Sequence, residues 1–186
     1  SLFPLPFDRH TRQAGLCTGN RNRCASAMAE EFDPKDHRLA VLRGFAELRL
    51  GEVFRNPSRT VTEANFAAFQ TLSLDNHPIH YDNEYCKGLG YPAPLAHGLQ
   101  VLAFTAAGAG LFPHVVGESL IGFIEVKAKF LKGVFPGDTL YPALEITDLI
   151  AQRTTGIVAM RASVHNQKRE LVLDGEHRYL LRLQKP

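Results

Sequence analysis

The stretch Gly98-Leu99-Gln100-Val101-Leu102-Ala103-Phe104-Thr105-Ala106-Ala107-Gly108-Ala109-Gly110-Leu111-Phe112 decides the fold. Read at helical spacing, its apolar residues cover nearly every face. A helix that is apolar all round is buried on most sides, so residues 98–112 read as one helix running through a core. Gly108 and Gly110 weaken its last turns, and Pro113 is expected to stop it. Four strand-like segments follow. In 121–131, Ile124, Val126, Ala128 and Phe130 alternate with Glu125, Lys127 and Lys129, the period-two pattern of a strand with one buried face. Leu140, Leu144 and Ile146 share a face in 139–149, with Pro142 hinting at an edge or bulge. Val158, Met160, Ala162 and Val164 share a face in 155–165, and Tyr179, Leu181 and Leu183 share one in 171–183. The connections, Pro136-Gly137-Asp138 and Asn166 to Arg169 among them, are short and favour antiparallel pairing. A buried helix followed by an antiparallel meander gives an α+β domain with the sheet wrapped around the helix.

Upstream, Arg55 to Thr62 is an extended piece that Pro57 confines to an edge. Thr62-Glu63 opens a helix with Phe66, Phe69 and Gln70 at helical spacing. Ser73 to Asp82 is a loop by its Asp, Asn and Pro content, and Asn83 to Lys87 is a short helix that ends at Gly88.

At 186 residues the chain suits one domain with a substantial core. A net charge of +2 implies no general attraction to nucleic acid. The longest apolar run, Val101 to Phe112, is too short to span a bilayer. Cys17, Cys24 and Cys86 form no disulfide framework or zinc ribbon, which points to a reducing, cytoplasmic setting. Residues 1–37 are set apart as a basic arm: Arg9, Arg12, Arg21 and Arg23 stand against the single acid Asp8 in the first 27 positions. Met28 followed by Ala-Glu-Glu reads like a natural start, so upstream or appended sequence is the preferred reading of the leader. A basic targeting segment and a true N-terminal arm are the others. Residues 38–186 form the domain.

The loop Leu74-Asp75-Asn76-His77-Pro78-Ile79-His80-Tyr81-Asp82 packs two carboxylates and two imidazoles around a proline. Asp75 and His80, five apart, share no face of a helix or strand. They converge only if the chain turns between them, and Pro78 favours a turn by fixing its own φ and extending His77. A carboxylate and an imidazole on one water can shuttle its protons. The competing reading is an Asx-type turn with a surface histidine. His97-Gly98 opens the buried helix, where first-turn N–H groups lack internal partners and glycine admits a ligand carbonyl. A helix start that merely tolerates glycine is the plainer alternative. His77, His80, His97 and Asp82 could instead ligate a metal. Their spacing is not the helical pair of zinc enzymes and no fourth ligand is evident, so no metal is expected. Cys86 carries no nucleophile motif, and His114, His165 and His177 read as structural.

The segment Asp75-x-x-Pro78-x-His80, then Ala96-His97-Gly98 and the apolar helix, then Phe130-x-x-x-Val134-Phe135-x-Gly137-Asp138, resembles the MaoC-like (R)-specific enoyl-CoA hydratases. The resemblance covers roughly residues 45–183. It implies a single hot-dog domain, in which a long helix is wrapped by an antiparallel sheet. It implies that Asp75 and His80 jointly activate water and exchange a proton at the α-carbon of a 2-enoyl thioester. It assigns the Gly98 N–H to the thioester carbonyl, where enolate charge develops, and groups His97 and His77 with the substrate-binding residues. Coenzyme A, or a carrier-protein pantetheine, belongs to the substrate, and no other cofactor is implied. Homodimers through edge-to-edge sheets, sometimes assembled further, are the implied partners.

The chain departs from that pattern in three places. His77 stands where the family usually has Asn, Leu74 where it usually has Gly, and Thr105-Ala106 near a serine that some members carry in the helix. Asp75 and His80 are kept, so a reversible hydratase/dehydratase is the expected function; the alternatives are a hot-dog thioesterase, which leaves His80 unexplained, and a non-catalytic acyl-CoA-binding protein.

Overall fold

The computed structural model describes residues 33–183. The chain divides after His37 into two units. Of the first, residues 33–37 are described: Pro34–Asp36 form a 3-10 turn capped by Asp33. The rest of the basic arm set apart from sequence lies outside the described residues. The second unit, Arg38–Pro186, carries the sheet and the helices.

The strands are β1 (Val53–Arg55), β2 (Arg59–Thr60), β3 (Leu120–Phe130), β4 (Thr139–Ala151), β5 (Thr155–Asn166) and β6 (Leu171–Arg182). They form one antiparallel sheet in the order β1-β4-β5-β6-β3, with β2 also on β4. Pro142 sits in β4 where its neighbour changes from β1 to β2. Its carbonyl accepts from the Asn56 N–H, and its missing donor faces that gap. The inward faces expected for β4 and β5 are found: Leu140, Leu144, Ile146, Val158, Met160, Ala162 and Val164 are at most 1% exposed. The expectation for β3 holds only in part. Ala128 packs on the second apolar cluster, but β3 is an edge strand, and Ile124, Val126 and Phe130 on the same face are 41–50% exposed among the described residues.

Helix α1 (Glu63–Ser73) starts as read, with the Thr62 N–H donating to Asn65 Oδ1 at 2.9 Å. Helix α2 (Asn83–Gly88) is capped by Asp82, whose carboxylate accepts from the Tyr85 N–H at 3.0 Å. The expected single helix over 98–112 is corrected. It is broken into α3 (Gly98–Ala103, six residues), a 3-10 turn at Ala107–Ala109, and α4 (Phe112–Val116). Pro113 lies in the first turn of α4 and starts that helix rather than stopping one. Nor is the segment buried all round: Leu99 is 65% exposed.

Side chains hold the break. Asn56 Nδ2 donates to the carbonyls of Phe104 and Ala106 at 3.1 and 2.9 Å. The Thr105 hydroxyl donates to the Leu102 carbonyl at 2.6 Å, so its oxygen accepts from His177 Nε2 at 3.0 Å. His177 Nδ1 then accepts from the Tyr179 hydroxyl at 2.9 Å, and that oxygen takes the Ala107 N–H. Thr105, His177 and Tyr179 each give one hydrogen bond and take one, as burial requires, whereas Asn56 Oδ1 is buried without a partner. Burial pushes His177 down to about 4 and Tyr179 up to about 12. Two apolar clusters flank the break: Phe54, Phe112, Ile146, Met160 and Leu181 under α4, and Phe66, Val101, Leu140, Val164 and Leu173 under α1 and α3.

Candidate active site

Helix α1 ends on Leu74, whose φ of 59° puts a branched residue in the left-handed region. That turn throws Asp75 back across the helix end. The Asp75 N–H donates to Ser73 Oγ at 3.3 Å and its Oδ1 accepts from the His77 N–H at 3.4 Å, which is the Asx-type turn of the competing reading. Pro78–His80 then make one 3-10 turn, with the Ile79 N–H donating to His77 Nδ1 at 3.3 Å. The turn brings the two ends of the loop together: His80 Nε2 lies 3.9 Å from Asp75 Oδ2. Asx turn and acid/base pair are therefore the same loop.

The partner segment is placed by backbone. The Leu95 N–H donates to the Ile79 carbonyl at 3.0 Å, and the Ala96 N–H to the Val134 carbonyl at 2.8 Å, just before the Pro136-Gly137-Asp138 turn. The Leu95 carbonyl accepts from His80 Nδ1 at 2.8 Å. Since a carbonyl only accepts, Nδ1 carries the proton and the Nε2 lone pair faces Asp75. Burial is the main cause that lowers the His80 pKa. The Leu95 bond opposes it, His97 adds to it, Asp75 opposes it and His77 adds to it.

His97 occupies the N-cap position of α3 without a capping side-chain bond and is 2% exposed. Its ring stacks on His80 with centroids 3.6 Å apart and planes 21° apart, and its Nε2 donates to the backbone carbonyl of Asp75 at 3.0 Å. Gly98 is the first residue of α3. A Cβ there would lie 3.1 Å from the Phe130 ring, so glycine allows the close approach of β3.

Of the residues singled out from sequence, Asp75, His80, His97 and Gly98 come together. His77 stands at the rim, exposed, with its ring edge-on to Tyr85 at 5.7 Å. Asp82 is drawn off as the cap of α2, and Cys86 is buried, its Sγ donating to the Ile79 carbonyl at 3.3 Å. Asp75, His80 and His97 each bring one donor atom within 4.8 Å of the others, so the metal reading concerns these three rather than His77 or Asp82. Sequence reasoning missed the Leu95 carbonyl, which sets the His80 tautomer. As a backbone group it leaves no residue signal beyond its place two positions before His97.

A MaoC like domain model matches residues 46–168, a span holding every one of these groups. The chain belongs to the MaoC-like domain family. That family is of hydratase and dehydratase type. The chain is 26% identical to a mitochondrial 3-hydroxyacyl-[acyl-carrier-protein] dehydratase of Arabidopsis thaliana, covering 74% of this chain and 84% of that one. It is 25% identical to an (R)-specific enoyl-CoA hydratase of Rhodospirillum rubrum, covering 71% and 93%. Other curated relatives are far longer, and the chain spans as little as 8% of their length. A Mycobacterium tuberculosis protein with a double hot-dog fold superposes with a TM-score of 0.65 at 25% identity, over 78% of this chain and 46% of that one. The MaoC-like domain here is thus a hot-dog domain, with a broken rather than a continuous central helix. Among the described residues no helix is long and apolar enough to cross a membrane.

Proposed function

We propose that this MaoC-like domain adds water reversibly across the 2,3 double bond of an enoyl thioester of coenzyme A, with no cofactor beyond the substrate's own coenzyme A. The observation that carries the reading is the pair of acceptors, His80 Nε2 and Asp75 Oδ2, facing each other 3.9 Å apart. They are too far apart to bond directly, yet one water at about 2.8 Å from each can donate an O–H to both. The water's oxygen is then free to attack C3. As the O–C3 bond forms, one water proton passes to the pair and the double-bond electrons move onto the thioester as an enolate. The Gly98 N–H is the donor assigned to that charge. The pair returns a proton to C2, so the product carries OH at C3 and H at C2. The reverse sequence expels water from a 3-hydroxyacyl thioester. The lowered His80 pKa supports a neutral ring at neutral pH, with its Nε2 lone pair free to accept a proton.

A homodimer joined edge to edge through β3 belongs to the same proposal. Ile121, Phe123, Ile124, Val126 and Phe130 are 41–52% exposed along that edge and offer apolar surface on both faces. Light scattering is expected to give twice the chain mass, and Val126→Lys to lower it. The cytoplasm is the proposed compartment, with Cys86 a free thiol.

The test is a panel of enoyl- and 3-hydroxyacyl-CoAs of graded length, with branched dicarboxylic ones, followed at the enoyl-thioester absorbance band. Turnover of at least one member, lost in Asp75→Asn, is the expected result. Release of free thiol instead would make the protein a thioesterase. Binding without any turnover would make it an acyl-CoA-binding protein.

A further inference from the structure

One imidazole in the site has no part in that chemistry. His97, grouped above with the substrate-binding residues, has its ring engaged within the protein. One face lies flat on His80, Phe69 packs against the ring with centroids 5.1 Å apart, and Nε2 is occupied by the Asp75 carbonyl. With Nε2 protonated by that bond, Nδ1 holds a lone pair, and it is buried without a partner. An orphaned buried acceptor is destabilising. A phenylalanine would fill the same stacked, buried place without that cost. What histidine adds is the N–H aimed at the Asp75 backbone.

We propose that His97 is a positioning residue that clamps the two reacting side chains into one unit, holding the Asp75 backbone by a hydrogen bond and the His80 ring by stacking. It rests on the hydratase reading for its effect on rate, though not for its geometry. The clamp also ties both groups to Gly98, the next residue in the chain, so the water-activating pair and the assigned carbonyl donor share one anchor. A proton placed on His80 would be met by Asp75 from the loop after α1, by His77 from its own turn and by His97 from the start of α3. The Asp75 carboxylate favours that proton, so releasing the clamp alters how readily His80 takes it.

Two variants separate the two contacts. His97→Phe keeps a stacking ring and loses the donor. His97→Gln keeps an N–H near the Nε2 position and loses the stack. In both, kcat is expected to fall about tenfold or more while KM stays within about twofold, as befits a displaced catalytic geometry. The acid limb of the kcat/KM profile is expected to shift. A histidine-labelled NMR titration is expected to show the same shift at His80, and it reads the clamp whether or not a substrate has been found. A raised KM with unchanged kcat would overturn the inference in favour of substrate contact. An unchanged His80 titration with unchanged kinetics in a folded variant would reduce His97 to packing. Wild-type protein inactive on every thioester, with the His80 titration still displaced in the variants, would defeat the hydratase reading and leave the clamp standing. If His97→Phe fails to fold, His97→Gln carries the same measurements.

Discussion

Two histidine clusters flank α3, and they differ in what they leave unpaired. Beneath the helix break, the run from the Ala107 N–H through Tyr179, His177 and Thr105 to the Leu102 carbonyl is satisfied at each link. Before α3, His80 Nε2 and Asp75 Oδ2 face each other without a bond and His97 Nδ1 has no partner. Buried polar groups are normally saturated because an unmet donor or acceptor costs stability. The saturated cluster is frame. In the unsaturated one, His80 Nε2 and Asp75 Oδ2 keep their facing lone pairs, while His97 Nδ1 is buried.

The contrast breaks most visibly at the unsaturated end. Asp75→Asn and His80→Gln are each expected to lower kcat by about 10²- to 10⁴-fold, with little change in the urea midpoint. Conserved kcat in either would show that the open lone pairs do no work. At the saturated end the expectation is reversed. Thr105→Val leaves the His177 Nε2–H without an acceptor and is expected to cost about 1–3 kcal/mol in urea unfolding, with kcat per folded molecule nearly unchanged.

Acid sharpens the same comparison. The folded His177 pKa lies near 4, below its unfolded value of 6.5, so the unfolded chain binds the proton first. Its contribution is complete above 6.5 and is lost as pH falls toward 4, to a total of about 3 kcal/mol. His177→Gln should be less stable at neutral pH and show a flatter slope over that window. His80 has a lowered pKa as well, so activity should hold below 6.5 before its acid limb begins.

The smallest effect is expected at Leu74. Its left-handed backbone costs about 1–2 kcal/mol, partly offset by the about 0.5–1 kcal/mol that glycine loses in entropy. Leu74→Gly should therefore stabilise by about 0.5–1 kcal/mol at unchanged activity. A destabilised variant would overturn the reading that the left-handed backbone outweighs the entropy of glycine.

How much of this the sequence disclosed depends on whether side chains or backbone carried the information. The starts of α1 and α2 were legible because Thr62 and Asp82 act through their own capping geometry. The strands β4 and β5 were legible because alternation records which face is inside. The alternation of β3 was present too, but periodicity cannot tell a face that other elements cover from one that they leave open. The helix over 98–112 was misread because its apolar pattern is continuous while its hydrogen bonding is not. The bonds that replace the missing ones come from Asn56 and His177, 48 and 72 positions from their nearest partners in the break. In the site, the convergence of Asp75 and His80 followed from the proline between them. The stack on His97 and the Leu95 carbonyl had no local signature, since one is a ring face and the other a main-chain oxygen.

The bond from the Ile79 N–H to His77 Nδ1 bears on which sequences can encode this loop. The imidazole Nδ1 stands the same number of covalent bonds from Cα as the amide oxygen of asparagine. Either residue can therefore cap the Pro78–His80 turn with the backbone unmoved, whereas glutamine or lysine places no acceptor there. The position selects for an acceptor at a fixed reach, not for one amino acid. A signature for this loop that admits only asparagine excludes chains that build it with histidine.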